Sequence, residues 1–331
     1  MTKKVYSDRI LTPQQYLEQR VTYLPVEREL LTELGIISNG QWNRDFIGNL
    51  DEIPLTLAML KRQIVLPNEN VQVVKPPIVG HDKYRDATLA PCISGQDLLF
   101  MAVIVRGGSG IENELKALQP KYKKWLLLLC NETAYMSNKL WMKCMNELEY
   151  RTRKRRETAI LGMQPKNDFV LYTDNCTTHC TDQQAERLKR KNKIHHRSLI
   201  PNATHCQQMV DQNFGVTLKK DIKSQYWEWG ESLLDQVDEG ERKMDEKEGA
   251  QMKRAKIFEF AYNAAERISQ NHHLIRKSWD NFGVGLPLDG SKDGDIETLH
   301  KNGGYCRGQD VVIGGVAEEQ QNDDNDKEEA D

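Results

Sequence analysis

The stretch that decides the fold is DFVLYTDNCTTHCTDQQAERLKRKNKIHHRSLIP, residues 168–201. It opens with an apolar run typical of a buried strand, which ends at Asp174. Thr181 and Gln184 then stand in capping-box spacing, which predicts that a helix begins there. A second strand follows in HRSLIP and is stopped by Pro201. Strand, helix and strand within about thirty residues predict a βαβ unit, whose two strands run parallel.

Three β-rich segments before this unit predict an antiparallel meander. They are DFIGNLDEIPL at 45–55, ATLAPCISG at 87–95 and QDLLFMAVIVRGG at 96–108. Asp51 is expected to lie inside the first strand. Residues 138–158 have a helical composition with apolar side chains on one side. The expected fold class is therefore α/β, with a mixed sheet of meander strands and parallel strands flanked by helices.

A second capping-box spacing, from Thr204 to Gln207, predicts a further helix after the βαβ unit. Its apolar residues recur at steps of four and form a stripe that should lie on the sheet. They are Cys206, Val210, Phe214, Leu218, Ile222 and Tyr226. Asp211 lies beside the start of this stripe, and Gly215, one turn later, is expected to leave open space. The Asp211 carboxylate is therefore predicted to face a cleft.

Composition divides the chain into four segments. Residues 1–44 are expected to be an adaptor or linker without a core of their own, and residues 45–230 the α/β domain. Residues 231–296 read as a charged helical C-terminal extension. Its helical face is formed by Phe258, Ala261, Ala265 and Ile268. Residues 297–331 are predicted to be a disordered acidic tail.

Positive charge is concentrated in the body of the chain. The net charge of the chain is −3, and residues 318–331 contribute eight acids and one lysine. One basic cluster is RTRKRR at 151–156. A second consists of Arg187, Lys189, Arg190, Lys191, Lys193 and Arg197. Such clusters are found on solvated helix faces and on phosphate-binding stripes, and the charges alone do not separate the two.

The sequence argues against a membrane or disulfide-stabilised protein. No apolar run approaches the ~20 residues of a membrane span, and the first residues lack the apolar core of a signal peptide. Seven cysteines without framework spacing indicate reduced thiols. The expected location is the nucleus or the cytosol, with no membrane partner.

Three acids could share one site. Asp51, Asp174 and Asp211 are expected at a strand interior, a strand end and a helix start. If the two strands are neighbours and the helix packs across them, the three carboxylates converge. Carboxylate oxygens are the ligands that Mg²⁺ prefers. The alternative is that each aspartate is an ordinary turn or cap residue, although an aspartate inside a strand is costly unless paired or metal-bound.

The sequence offers two other candidate sites. A zinc site would use Cys176, His179, Cys180, His205 and Cys206. These residues lack the paired spacing of a structural zinc site, so zinc is disfavoured. The RGGSG segment at 106–110 has no following Gly-Lys-Ser/Thr and is interpreted as a turn, not a phosphate loop.

Several segments resemble a known family in the family's order. NLDEIPL is similar to its first-aspartate strand, VLYTDNCTTH to its second-aspartate segment and SLIPNATHCQQMVDQNFGVTLKKDIK to its third. IRKSWDNFGVGLPLDGSKD is similar to its tail segment. The family is the DDE/D transposases, or DDE superfamily endonucleases, of the mariner/pogo (Tigger-like) superfamily. The resemblance covers roughly residues 40–296.

This resemblance implies an RNase H-like catalytic domain over residues 45–230. It implies that Asp51, Asp174 and Asp211 are catalytic residues that hold two Mg²⁺ or Mn²⁺ ions. The implied partners are DNA and a second copy of the chain, and the implied location is the nucleus. The basic cluster from Arg187 to Arg197 is then the expected nucleic-acid-binding surface.

Two functions of different classes remain open. The first is a metal-dependent enzyme that cleaves and transfers DNA strands, favoured by the presence of all three aspartates. The second is a non-catalytic, domesticated or degenerate transposase-derived protein that binds nucleic acid and has kept the fold. The fifty residues before Asp51 are too few for the paired helix-turn-helix modules of the family, which favours the second.

Overall fold

The fold is described from a computed structural model of the 331-residue chain. The structure describes residues 11, 13–57, 85–159, 168–175, 181–201, 203, 207–241, 249–280, 282–284, 286–293, 297–299 and 305–307. The described helices are α1 (Pro13–Glu33), α2 (Ser109–Tyr122), α3 (Asn138–Ala159), α4 (Asp182–Asn192), α5 (Gly215–Asp238), α6 (Ala250–Ser269) and α7 (His272–Asp280). A π-helical turn, Val210–Phe214, leads into α5.

The described strands belong to one large sheet and two small hairpins. They are β1 (Ile37–Ser38), β2 (Gln41–Trp42), β3 (Ile47–Leu50), β4 (Ile53–Leu55), β5 (Ala87–Ser94), β6 (Leu98–Arg106), β7 (Leu126–Asn131), β8 (Phe169–Thr173), β9 (Ile194–Ser198), β10 (Glu297–Leu299) and β11 (Tyr305–Arg307). The large sheet has the order β7-β6-β5-β3-β8-β9, and β4 pairs with β5 beside β3.

The large sheet combines two kinds of pairing. Strands β3, β5 and β6 form the predicted antiparallel meander. Strand β8 then pairs parallel with β3, and β9 parallel with β8, so the βαβ unit around α4 attaches to the first strand of the meander. The central strands β3, β5 and β8 are buried along their whole length, because other elements of the chain cover the sheet. The predicted mixed sheet of antiparallel meander strands and parallel strands, flanked by helices, is confirmed.

The helix in the βαβ unit begins as its sequence predicted. The Gln184 backbone N–H donates to Thr181 Oγ1 at 3.3 Å, and the Thr181 backbone N–H donates to Gln184 Oε1 at 3.0 Å. The two bonds form a capping box. At the other end Lys193 adopts a left-handed conformation, with φ of 54°, which turns the chain into β9.

Asp51 does not lie inside a strand, and that prediction is wrong. Strand β3 ends at Leu50 and β4 begins at Ile53, so Asp51 occupies a break between them. In the register with β5, Leu50 pairs with Cys92 and Ile53 with Leu89, which places Pro91 opposite Asp51. Proline has no backbone N–H to extend the ladder at that point.

One α/β crossover, formed by α2 and β7 within residues 109–137, is not among the elements predicted from the sequence. Helix α2 follows β6, and β7 then pairs parallel with β6 at the edge of the sheet. The RGGSG segment supplies the short connection from β6 into α2. The sheet is therefore one strand wider than the meander and the βαβ unit predicted.

Residues 13–44 pack against the α/β domain. Leu31, Ile36 and Ile37 belong to the main hydrophobic core. The buried Glu27 carboxylate accepts hydrogen bonds from the Tyr172 hydroxyl, at 2.9 Å, and from the Arg197 guanidinium. Residues 13–44 thus share the core of the α/β domain and are bonded to strands β8 and β9.

The apolar stripe predicted for the helix after the βαβ unit is buried. Every fourth residue from Val210 to Tyr226 lies in the core. Cys206 and Thr204 lie outside the described residues. Gly215 does not leave open space, and that prediction is wrong. A Cβ atom there would lie 2.3 Å from the Val210 carbonyl oxygen and 3.0 Å from Ile53 Cδ1. Gly215 therefore lets the π-helical turn and the start of α5 pack tightly on β4.

The C-terminal extension is helical, and its predicted apolar positions are buried in the core. Within the predicted disordered tail, β10 and β11 form a short antiparallel pair, so that prediction is wrong for residues 297–299 and 305–307. Residues 308–331 lie outside the described part. No helix in the described part of the chain is long and apolar enough to cross a membrane.

Replacing Gly215 by alanine should destabilise the protein by about 1 to 3 kcal/mol, because the added methyl group overlaps a backbone carbonyl. This loss should outweigh the roughly 1 kcal/mol by which alanine is the better helix former. Gly110→Ala in α2 is the matched control, since nothing lies within 4 Å of its Cβ position. Urea unfolding of both variants measures the difference. Equal stabilities would contradict the tight packing at Gly215.

Candidate metal centre

Asp51 and Asp174 lie at the same edge of the sheet. Strands β3 and β8 run parallel, with Asn49 opposite Tyr172, and each aspartate follows its strand residue by two positions. Asp51 is buried, with 7% of its surface exposed. Asp174 is half-buried, directly after the end of β8. The parallel pairing thus accounts for the proximity of the two carboxylates.

Asp211 reaches the same place from the helical layer. It is the second residue of the π-helical turn and its side chain is exposed to solvent. Its carboxylate shares a hydrogen bond with Asp51 and interacts with the charge of Asp174. The structure therefore brings together the three aspartates that the sequence singled out.

Burial raises the pKa of Asp51 from its ordinary value of 3.8 to about 8. The negative charges of Asp211 and Asp174 act in the same direction. The Glu52 backbone N–H, which hydrogen-bonds to the carboxylate, and the nearby Gln208 amide oppose the rise. Without a cation, the site therefore favours a protonated Asp51 near neutral pH.

The surrounding protein also raises the pKa of Asp211, mainly by partial desolvation and in smaller part through the charge of Asp174. Lys219, two turns further along α5, and the hydrogen bond with Asp51 act in the opposite direction. The three carboxylates thus repel one another in the absence of a cation. This electrostatic strain is what a bound cation would relieve.

The chemistry of these donors fits a hard divalent ion, because all three side chains offer oxygen. Within the described ranges, no group of three or more His, Cys, Asp or Glu side chains is positioned to hold a metal ion. The three aspartates would therefore have to move closer together to bind one. The five residues of the disfavoured zinc site lie outside the described residues.

Two buried amides beside the aspartates were missed in the sequence. Asn49 and Gln208 are both fully buried, and the Asn49 amide donates to Gln208 Oε1 at 3.2 Å. One available signal was the position of Asn49, a polar residue in an apolar strand two places before Asp51. Residues two apart on a strand face the same side of a sheet.

The predicted nucleic-acid-binding cluster is divided by the structure. Five of its members are exposed on and just after α4, namely Arg187, Lys189, Arg190, Lys191 and Lys193. Arg197 instead pairs with the buried Glu27 carboxylate, so its guanidinium holds α1 on the sheet. Three of the exposed five, Lys189, Arg190 and Lys191, lie in the last turn of α4, where cations also complement the helix dipole.

The other basic cluster is largely engaged within the domain. The Arg155 guanidinium binds Asp97 at 2.5 Å, and Arg151 donates to the carbonyl oxygens of Lys123 and Lys124. Arg156 donates to the carbonyl oxygens of Asn192 and Lys193 at the end of α4. These arginines join α3 to its neighbours.

No protein-family model matches the chain, and no curated protein matches it by sequence. Several solved structures do match the structure of the chain. A pre-cleavage Mos1 transpososome matches at 9% identity and a TM-score of 0.39, over 84% of this chain and 67% of that chain. The Mos1 mariner paired-end complex with Mn matches at 11% identity and a TM-score of 0.40, over 85% and 66%.

The chain is similar to mariner transposases. The Mos1 strand transfer complex also matches, at 10% identity and a TM-score of 0.33, over 84% of this chain and 66% of that chain. The chain spans about two thirds of the length of these transposase chains. Likeness at this level assigns no role to any residue, so the candidate site depends on the contacts within this chain.

The stability of the metal-free protein should fall as the pH rises from about 4 to about 8. Over that range the folded state keeps a proton on Asp51 that the unfolded chain releases. Asp51→Asn replaces the titrating carboxyl group by a neutral amide. The variant should therefore be more stable than the wild type at pH 8 by at least about 1.4 kcal/mol, the equivalent of one pKa unit. The difference should vanish near pH 4.

Unfolding in urea with EDTA, at several pH values, measures this dependence. Asp235→Asn, at an exposed position on α5, is the control and should follow the wild type. If the free energy of unfolding changed with pH in the same way in the wild type and in Asp51→Asn, the raised pKa of Asp51 would be contradicted.

Proposed function

We propose that the chain is a transposase-derived, metal-dependent DNA endonuclease and strand-transfer domain. The observation that carries the proposal is the meeting of Asp51, Asp174 and Asp211, whose mutual repulsion and burial leave Asp51 with a strongly raised pKa. A cluster of acids with perturbed pKa values is typical of a functional site. The sequence segments that resemble the DDE/D transposases, in the same order along the chain, point to the same chemistry.

The proposed cofactors are two divalent ions, Mg²⁺ or Mn²⁺. Asp51 and Asp174 would hold one ion, and Asp211 would hold the second from the helical layer. When bound, such ions supply a Lewis acid for the phosphodiester and lower the pKa of a bound water. No histidine or other general base is required for that chemistry.

The three aspartates have different tasks because they differ in exposure. Asp51 is buried, so it forms the floor of the site and is shielded from water. Asp174 is half-buried and Asp211 is exposed, so the substrate would approach from their side. Lys219 places a positive charge beside Asp211, where a phosphate group would arrive.

DNA is the proposed substrate, and the exposed residues of the α4 cluster are its proposed phosphate contacts. Phosphate contacts of this kind position a duplex without reading its sequence. A second copy of the chain as partner and a nuclear location belong to the same proposal.

The second candidate is a non-catalytic, transposase-derived nucleic-acid-binding protein. It is favoured by the five exposed basic residues of the α4 cluster, which do not depend on the aspartates. The two candidates differ in what divalent ions do: they should stabilise the enzyme and leave the binding protein unchanged.

Asp174→Asn should reduce Mg²⁺- or Mn²⁺-dependent nicking of supercoiled plasmid by about 100-fold or more, because it removes a charge without changing the volume. Asp51→Asn and Asp211→Asn should do the same. Asp182→Asn, an exposed aspartate in the first turn of α4, is the control and should retain the wild-type rate. Nicking and the metal-dependent shift in melting temperature should be measured on one preparation.

Equal nicking rates of the wild type and Asp174→Asn would contradict the enzyme hypothesis. A wild-type melting temperature that does not change with Mg²⁺ or Mn²⁺ would contradict it as well. Either result leaves the binding protein as the function.

Reversing the charges of Arg187, Lys189, Arg190 and Lys191 together should flatten the salt dependence of DNA binding. If all four contact phosphates, the slope of log K against log[salt] should lose up to about 3.6 in magnitude. Fluorescence anisotropy of labelled duplex at several salt concentrations measures the slope.

The control reverses four exposed lysines next to the opposite edge strand, β7. They are Lys116, Lys121, Lys139 and Lys143. A slope that changes equally in both variants would show that binding follows net charge and has no defined surface on α4.

A further inference from the structure

One fully buried amide, that of Asn49, makes hydrogen bonds to three residues in two separate parts of the chain. Asn49 Nδ2 donates to the Tyr172 carbonyl oxygen at 3.0 Å and to Gln208 Oε1 at 3.2 Å. Asn49 Oδ1 accepts from the Val210 backbone N–H at 3.0 Å. A primary amide has two N–H groups and one carbonyl oxygen, so Asn49 uses both of its donors and its acceptor.

Each of these bonds reaches a segment that carries one of the aspartates. Asn49 itself precedes Asp51 by two residues, and Tyr172 precedes Asp174 by two. Val210 comes directly before Asp211. The backbone ladder of β3 and β8 holds the first two segments together. The Asp211 segment is not part of the sheet, and Asn49 joins it to both strands.

Gln208 extends this contact toward Asp51. Its Oε1 accepts from Asn49, and its amide favours the charged form of the Asp51 carboxylate. Among the described residues, Gln208 Nε2 has no acceptor in full hydrogen-bond geometry. A buried donor without an acceptor is unfavourable by about 1 to 3 kcal/mol. The Asp51 carboxylate is the acceptor closest to hand for this N–H group.

We propose that Asn49 and Gln208 are positioning residues of the three-aspartate site. They fix the spacing of the segments that carry Asp51, Asp174 and Asp211, so that a divalent ion has to draw the three carboxylates together over a shorter distance. The inference rests on the proposed metal-dependent function.

The physical reason is the repulsion between the three carboxylates. Without restraint, the Asp211 segment would relax away from the sheet, and a metal ion would have to draw it back. Groups that hydrogen-bond around ligating carboxylates commonly change metal affinity by about 10- to 100-fold when removed. A purely structural amide would lower stability and leave metal affinity unchanged.

The test is a titration of the full chain with Mn²⁺ alone, followed by melting temperature. Gln208→Met is the main variant, because it keeps the volume and leaves the bonds of Asn49 to Tyr172 and Val210. Asn49→Leu is the harsher variant, since it leaves the Val210 N–H and the Tyr172 carbonyl without their partner. In both, the half-saturating Mn²⁺ concentration should rise about 10- to 100-fold.

Gln119→Met is the matched control. Gln119 is also an amide clamp: its Nε2 donates to the Leu126 carbonyl oxygen at 2.7 Å, and its Oε1 accepts from the Leu128 N–H at 2.8 Å. It holds β7, at the other side of the sheet from β8 and β9. The control should melt at a lower temperature in EDTA but keep the wild-type Mn²⁺ concentration.

Three results would overturn the inference, and they are distinguishable. If the wild type responds to Mn²⁺ and folded Gln208→Met responds at the same concentration, the positioning role fails and the proposed function stands. If Gln119→Met is shifted as much as Gln208→Met, the effect is one of general stability. If the wild type shows no response to Mn²⁺, the proposed function fails first, and the positioning role with it.

Discussion

The parallel pairing of β3 with β8 is the constraint on which the rest of the site depends. Parallel strands end at one edge of a sheet, so the residues that follow them are neighbours in space although 123 positions separate Asn49 from Tyr172. Two acids that follow such strands must then repel each other. The helical layer adds a third acid, Asp211, to the same edge. A fold with this connectivity concentrates negative charge unless a cation or a proton offsets it.

The sequence predicted the sheet and the three aspartates, and it failed where neighbouring segments decide the local structure. The capping box of α4 is a local pattern and was found. The break at Asp51 depends on Pro91 in another strand, and the tight packing of Gly215 depends on Ile53. Strand β7 was missed because four leucines in a row suit a helix as well as a buried strand, and only pairing with β6 decides.

For basic residues too, the sequence does not show which partner each side chain binds. Arg197 and the exposed lysines of α4 are close in sequence and identical in charge, yet the guanidinium of Arg197 pairs with a buried carboxylate. Its partner, Glu27, lies 170 residues away. The pattern of charge predicts a positive surface, but the partner of each side chain follows from the tertiary fold. The surface left for phosphates is therefore smaller than the sequence suggests.

Helix α1 has a consequence for synthesis of the protein. Arg28 pairs with Asp293, 265 residues later in the chain, and Arg20 donates to the Asp293 carbonyl oxygen. At typical translation rates, this final partner emerges from the ribosome on the order of 10 to 50 seconds after the helix. During that interval the nascent helix holds two arginines without their C-terminal contact. The contacts of α1 with Asp293 can therefore form only after every strand of the large sheet has been synthesised.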